Sequence, residues 1–249
     1  MGKTLILGGS TLATALASEM AAAGMPAVLS YAGRTESPLA QPVPTRTGGF
    51  GGVDGLVTFL NENSITAIVD ATHPFAAQMS AHAIEAASIA DANLLALEPA
   101  PWTPAPGDKW ICVADIDAAV TALDTGAQRI FLAIGRLNLA SFASRSQHHY
   151  LLRLVDRPKN PLPLPNTTVI IERGPFTLEN DIALMQTHGI DLIVAKNAGG
   201  NGARAKIDAA RSLKLPVIMV ERPVIAERPV VSTVSETMHW LVHEADLGV

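Results

Sequence analysis

Cysteine is nearly missing: Cys112 is the only one in 249 residues, which excludes an internal disulfide and any site built on several thiolates, iron–sulfur clusters included. Lying in the apolar run Trp110 to Val113, it reads as a small core residue. A basic excess is also lacking. The 18 Lys and Arg stand against 23 Asp and Glu, for a net charge of −5, which argues against a general nucleic-acid binder. Any basic site must therefore be local. No apolar run approaches the roughly 18 residues of a membrane span, and Met-Gly-Lys-Thr leads directly into a strand without a signal-peptide pattern. These absences lead us to expect a soluble, cytoplasmic protein with neither a membrane nor a nucleic-acid partner.

Several catalytic signatures are absent too. The two tyrosines, Tyr31 and Tyr150, are followed four residues later by Thr35 and Leu154, so the Tyr-x-x-x-Lys pair of short-chain dehydrogenases does not occur. His239 and His243 are spaced for one helix face, but no glutamate stands between them as in H-E-x-x-H, and no metal site is expected. His148-His149 reads as a solvated loop. There is no G-x-x-x-x-G-K-[ST] phosphate loop and no G-x-S-x-G nucleophile elbow, which removes the commonest kinase, ATPase and hydrolase readings.

What is present is a recurrent strand–turn–helix unit. At 48% hydrophobic content, the chain can bury a substantial core. In Ile65 to Ala87, a short apolar strand at Ala67 to Val69 passes through Asp70-Ala71-Thr72-His73-Pro74 into a helix-forming segment, with Pro74 expected in the first helical turn. In an open parallel sheet such turns lie at the carboxyl edge, where ligands bind, which places Thr72, His73 and Phe75 toward a ligand. The opening Leu5 to Thr11 is a strand running into Gly8-Gly9-Ser10 and then a helix to Gly24. This turn suits either a phosphate at a helix N-terminus or a plain tight turn. The second strand, Ala27 to Tyr31, ends near Ser30, Arg34 and Thr35 with no carboxylate before Glu36, the pattern that favours NADP over NAD. Arg46-Thr47-Gly48-Gly49-Phe50-Gly51-Gly52 has too many glycines for a simple turn and suits backbone approach to a flat ligand. A helix over Val53 to Asn61 and a strand over Leu94 to Leu97 complete this part.

The Pro-rich stretch Glu98 to Asp108 reads as a linker, giving domains over residues 1–100 and 101–249. Strand-like runs recur beyond it at Arg129 to Ile134, Tyr150 to Val155, Val169 to Ile171, Leu192 to Ala195 and Val217 to Val220. The fold class expected is α/β: two Rossmann-like domains with mainly parallel sheets flanked by helices. Four of the later strands are followed by basic residues: Gly135-Arg136, Glu172-Arg173-Gly174-Pro175-Phe176, Lys196-Asn197-Ala198-Gly199-Gly200 and Glu221-Arg222-Pro223. In a parallel sheet, Arg136, Arg173, Lys196 and Arg222 gather at one edge, as a ligand with several carboxylates or phosphates would require.

With these residues assembled, the chain resembles the precorrin-6A reductases of cobalamin biosynthesis, including the cobalt-precorrin-6A form. The resemblance runs through LILGGST, AGRT, RTGGFGG, VDATHPFA, Pro-Trp and Gly-Asp-x-Trp, FLAIGR, ERGPF, AKNAGG and PVIMVERP, in order and over nearly the whole chain. Leu12 departs from it, standing where relatives tend to carry an acidic residue. The resemblance implies NADPH and a polyanionic tetrapyrrole bound by two Rossmann-like domains, with reduction of the C18–C19 double bond. It assigns Gly8, Gly9, Ser10, Thr11, Ser30, Arg34 and Thr35 to the cofactor, and Gly49, Phe50, Gly51, Thr72 and His73 to the nicotinamide end. Arg136, Arg173, Lys196, Asn197, Gly199, Gly200 and Arg222 go to the substrate. Lys196, His73, Tyr150 and water are the candidate proton donors, and Lys196 is equally suited to pairing with a substrate carboxylate. Two other readings stay open: a tetrapyrrole synthase or lyase that uses no nucleotide, and a non-catalytic NADP-sensing module.

Overall fold

In strand β1 (Lys3–Leu7), Leu5 and Leu7 enter one buried cluster with Val28, Leu56, Leu60 and Ile68, while Ile6 enters another with Leu16, Met20, Leu29 and Val69. Side chains alternate along a strand, so a strand covered on both faces must be apolar throughout. Each fully buried leucine contributes about 1.5–3 kcal/mol. This computed structural model describes residues 2–33 and 40–246; Arg34 and Thr35, expected at the cofactor, lie outside the described residues.

The chain forms two units, one of Met1–Ala100 with Val224–Val249 and one of Pro101–Pro223. The first continues with α1 (Thr11–Ala22), β2 (Ala27–Tyr31), β3 (Thr45–Thr47), α2 (Val53–Glu62), β4 (Ile65–Asp70), α3 (Ala77–Ala90) and β5 (Asn93–Leu97). The second holds β6 (Lys109–Val113), α4 (Ile116–Thr121), β7 (Arg129–Ala133), a 3₁₀ segment (Arg136–Ser144), β8 (His149–Leu154), β9 (Thr167–Ile171), α5 (Leu178–Thr187), β10 (Leu192–Lys196), α6 (Ala205–Ser212) and β11 (Pro216–Val220). The chain then returns to the first unit with β12 (Val230–Val231) and α7 (Val234–Asp246).

Among the described residues each sheet has 6 strands, in the orders β3-β2-β1-β4-β5-β12 and β9-β8-β7-β10-β11-β6, and every pairing is parallel. The α/β class and the mainly parallel sheets expected from the sequence are both observed. The first order is that of doubly wound dinucleotide-binding sheets, with β12 in the sixth place. In the second, the edge strand beyond β11 is β6, the first strand of its unit in sequence.

The C-terminal segment, expected in the second domain, belongs to the first unit. Val230 and Val231 pair with Ala96 and Leu97 of β5, and Leu241 is buried with Met238 and Trp240 packed beside it. Helix α7 opens on a capping box: Thr233 Oγ1 accepts from the Glu236 amide at 3.2 Å, and Glu236 accepts from the Thr233 amide at 2.9 Å. These bonds hold the Glu236 carboxyl below its usual range, the Thr233 side chain contributing most.

Three local expectations also change. Cys112 is exposed, because β6 is an edge strand. His148 is fully buried, its Nδ1 accepting from the Gln128 amide at 3.2 Å, and His149 lies in β8 with its Nε2 2.9 Å from Thr168 Oγ1. Burial lowers the pKa of both rings. Trp102, read as linker, is 4% exposed. Its Nε1 donates to Gly200 O at 2.7 Å, and its amide donates to Asn197 Oδ1 at 2.8 Å. We predict that Trp102→Phe, which leaves the Gly200 carbonyl without its donor, lowers stability by about 1–3 kcal/mol; urea denaturation with an unchanged m value measures this.

Candidate active site

In the first unit the strand order changes direction between β1 and β4, the place where ligands bind such sheets. Gly8 follows β1; its amide donates to Ser30 O at 2.8 Å, and a Cβ there would stand 2.9 Å from Leu29 Cδ1. Gly9 has φ +130°, a conformation that suits glycine, with nothing within 4 Å of where its Cβ would be. Ser10 caps α1, accepting from the Ala13 amide at 3.2 Å and donating to Ala71 O at 2.7 Å. That second bond joins the turn after β1 to the turn after β4. Thr11 is exposed on the first turn of α1, where the helix dipole favours an anion.

Asp70 closes β4 and is 2% exposed. One carboxylate oxygen accepts from Thr72 Oγ1 at 2.7 Å and from the Thr72 amide at 3.2 Å; the other accepts from Ser80 Oγ at 2.6 Å. Arg228, which pairs with Glu98, lies 3.9 Å from the same carboxylate. A buried charge needs such partners, and they fix Thr72. His73 Nδ1 accepts from the Phe75 amide at 3.2 Å, which assigns the proton of the neutral ring to Nε2. Pro74 is not in a helical turn. A turn over Pro74 and Phe75, closed by the Ala76 amide on His73 O at 2.7 Å, delays α3 to Ala77.

The glycine loop hangs from Arg46, which stands opposite Ser30 across β3 and β2. Its guanidinium donates to Ser30 Oγ at 2.7 Å, Gly48 O at 3.0 Å and Gly49 O at 3.1 Å, and lies 3.9 Å from the Phe50 ring centroid. Burial lowers its pKa. Phe50 meets Phe59 edge-on at 5.3 Å, so its ring anchors the loop carrying Gly49 and Gly51. A Cβ on Gly55 would fall 1.8 Å from Phe50 O; only glycine lets the loop rest on α2.

In the second unit the order changes direction between β7 and β10. Lys196 ends β10, and its Nζ donates to Asn138 Oδ1 at 2.8 Å. Arg136 donates to Asp156 O at 3.3 Å. Arg222 donates through Nε to Asn197 O and through Nη2 to Ala198 O, each at 3.0 Å, while Asn197 Nδ2 donates to Trp102 O at 2.9 Å. Asn197 and Arg222 thus brace the turn that carries Lys196, Gly199 and Gly200. Arg173 is exposed on the loop between β9 and α5.

Tyr150 does not reach this edge. It is the second residue of β8, fully buried, with its hydroxyl donating to Arg145 O at 3.0 Å and Phe142 O at 3.3 Å. Burial pushes its pKa up to about 12. Sequence reading gave no role to Arg46, Asn138 or Arg153. Arg46 opens the RTGGFGG motif; nothing around Asn138 or Arg153 marks them.

Comparison with known proteins decides the family. The family described as precorrin-6x reductase CbiJ/CobK matches residues 3–242. The chain belongs to it. Within the precorrin-6x reductases, it is 53% identical over 241 residues to the precorrin-6A reductase of Rhodobacter capsulatus, covering 97% of this chain and 96% of the relative. It is 32% identical over 201 residues to the cobalt-precorrin-6A reductase of Priestia megaterium, covering 77% and 78%. A solved structure, CobK precorrin-6A reductase, is 52% identical and superposes with a TM-score of 0.95 over 98% of this chain and 97% of that one. Membership of the precorrin-6x reductases makes the chain an oxidoreductase. Among the described residues, no helix is long and apolar enough to cross a membrane.

The placement of Tyr150 gives a test with a defined sign. Its folded pKa of about 12 lies above the ordinary tyrosine value of 10.0, so its contribution is complete below about pH 10 and is lost as pH rises toward 12, by about 2–3 kcal/mol. Buried Lys206 acts oppositely: burial lowers its pKa from 10.5 to about 8, so stability rises as pH passes from 8 to 10.5. Subtracting Tyr150→Phe from the parent cancels the lysine. We predict a parent-minus-variant stability difference that falls between pH 10 and 12, measured by denaturant titration, and a kcat within about twofold of the parent.

Proposed function

We propose that the chain catalyses the NADPH-dependent reduction of the C18–C19 double bond of precorrin-6A, or of its cobalt form, in cobalamin biosynthesis. The observation that carries this beyond family membership is the character of the second unit's carboxyl edge. Leu137, Val155, Ile171 and Leu178 follow or flank β7, β8 and β9 there with 37% to 70% of their surface exposed, among Arg136, Arg173 and Lys196. Apolar patches rimmed by charge mark binding sites. A flat macrocycle with carboxylate arms suits that surface; a nucleotide or a metabolite without apolar area does not.

The first unit suits the cofactor. The Gly8-Gly9-Ser10 turn presents backbone with no side chain in the way, at the N-terminus of α1, as a pyrophosphate requires. Bound there, NADPH supplies the hydride. Ser30, held by Arg46, stands near the end of β2, where a 2′-phosphate is read, and Arg34, further on in the sequence, would pair with that phosphate. Gly49, Phe50 and Gly51, with Thr72 and His73, line the same edge. Arg136, Arg173 and Lys196 would pair with substrate carboxylates, each well-made charged bond giving about 1.5–3 kcal/mol. Asn197, Gly199, Gly200 and Arg222 shape the turn behind Lys196. The proton for the neighbouring carbon would come from Lys196 or from Nε2–H of His73. A single cysteine and nicotinamide chemistry support a cytoplasmic location.

Incubating the protein with NADPH and precorrin-6A, metal-free or cobalt-loaded, tests the reading: reduced-nicotinamide absorbance must fall only when the tetrapyrrole is present. Preference for NADPH over NADH is predicted at about tenfold, equivalent to about 1.4 kcal/mol, and Arg34→Ala should remove most of it. Single-turnover oxidation of NADPH by Lys196→Met separates the lysine's two roles. A slowed hydride step at saturating substrate marks a proton donor, and a raised KM with unchanged kcat marks a carboxylate partner.

A further inference from the structure

We propose that Arg153 is a positioning residue for substrate binding, holding in place the loop that presents Arg173. This rests on the reading of Arg173 as a partner of a substrate carboxylate. Arg153 stands near the carboxyl end of β8, opposite Ile170 of β9, with its side chain 8% exposed. Its fork engages the carboxylate of Asp181, which is fully buried on α5, through both Nη1 and Nη2, the latter at 3.3 Å. Nη1 also lies 3.4 Å from Glu172 Oε2. The guanidinium carbon is 3.6 Å from the ring centroid of Phe176 and 5.3 Å from that of Phe131.

Glu172 immediately precedes Arg173, and Phe176 follows it by three residues. Both are fastened to one guanidinium, and the exposed Arg173 sits on the span between them. A loop that must order when substrate arrives spends part of its binding energy on ordering; a loop ordered on folding does not. The bidentate contact with Asp181 fixes the plane of the guanidinium, and that plane sets where Phe176 can stack and where Glu172 can reach. Asp181 is the rigid base, Arg153 the connector, and Arg173 the group delivered. An apolar residue at 153 could pack against Phe131 but would hold neither Glu172 nor the face of Phe176.

Arg153→Ala would strand a buried carboxylate and threaten the fold, so the links on the loop side are cut instead. Phe176→Leu, alone and with Glu172→Gln, is made in the parent and in Arg173→Ala. Arg153→Lys, which keeps a cation for Asp181 and loses the fork, is the second route. KM for precorrin-6A, kcat, the NADPH Kd and the thermal midpoint are measured for each. We expect Phe176→Leu and Arg153→Lys to raise KM by about three- to tenfold, with kcat and NADPH binding unchanged, and to add nothing once Arg173 is alanine. A KM that does not rise, or that rises equally in the Arg173→Ala background, overturns the positioning role. If Arg173→Ala alone leaves KM unchanged, the substrate reading of Arg173 fails first and this inference falls with it.

Discussion

A strand that lies parallel to its neighbour cannot be reached by a tight hairpin, so the chain crosses a face of the sheet each time and every strand ends at the same edge. Both sheets of this chain obey that constraint throughout their described pairings. Residues distant in sequence are gathered at two edges as a result: Gly8 to Thr11 with Thr72 and His73 at one, and Arg136, Arg173 and Lys196 at the other. The chemistry of the precorrin-6x reductases is what we propose these edges carry out. The apolar layers beneath them supply the stability.

Edge loops need rigidity that their own sequences do not provide, and in each unit a side chain from beneath supplies it. Asp70 holds Thr72, Arg46 holds the glycine loop, Trp102 and Arg222 hold the turn after β10, and Arg153 touches both ends of the Glu172–Phe176 loop. Two of these braces, Asp70 and Arg153, are charged with side chains 2% and 8% exposed. Removing one member of a buried pair costs about 3–5 kcal/mol, far more than an exposed ion pair contributes. Charge is thus placed where it fixes geometry, in a chain whose overall balance is acidic.

Most strands were legible because a parallel strand covered on both faces is a short apolar run, as Leu192 to Ala195 is, whereas β3 and the edge strand β6 were not expected. Turn residues were legible by position, since whatever follows such a strand lies at the carboxyl edge. The return of the chain was not, because β12 is a two-residue strand after a Pro-containing stretch, and its partner β5 lies far back in sequence. Cys112 and His148 were misplaced because a local run does not say which strand is the sheet's edge or which loop lies against a core. Arginine type gave the sign of the edge but not the division of labour. Arg222 and Arg173 follow strands in the same way, yet Arg222 bonds backbone carbonyls of a neighbouring turn and Arg173 is exposed.

The central claim is that the two edges divide the work, the first unit holding the nicotinamide nucleotide and the second the tetrapyrrole. Amide hydrogen exchange with NADPH alone tests it most directly. The account predicts slowed exchange in Gly8 to Thr11, Gly48 to Gly52 and Thr72 to His73, with Glu172 to Phe176 and Lys196 to Gly200 unaltered until precorrin-6A is added. Protection of the second unit's loops by NADPH alone, with the first unit's loops unchanged, would contradict it.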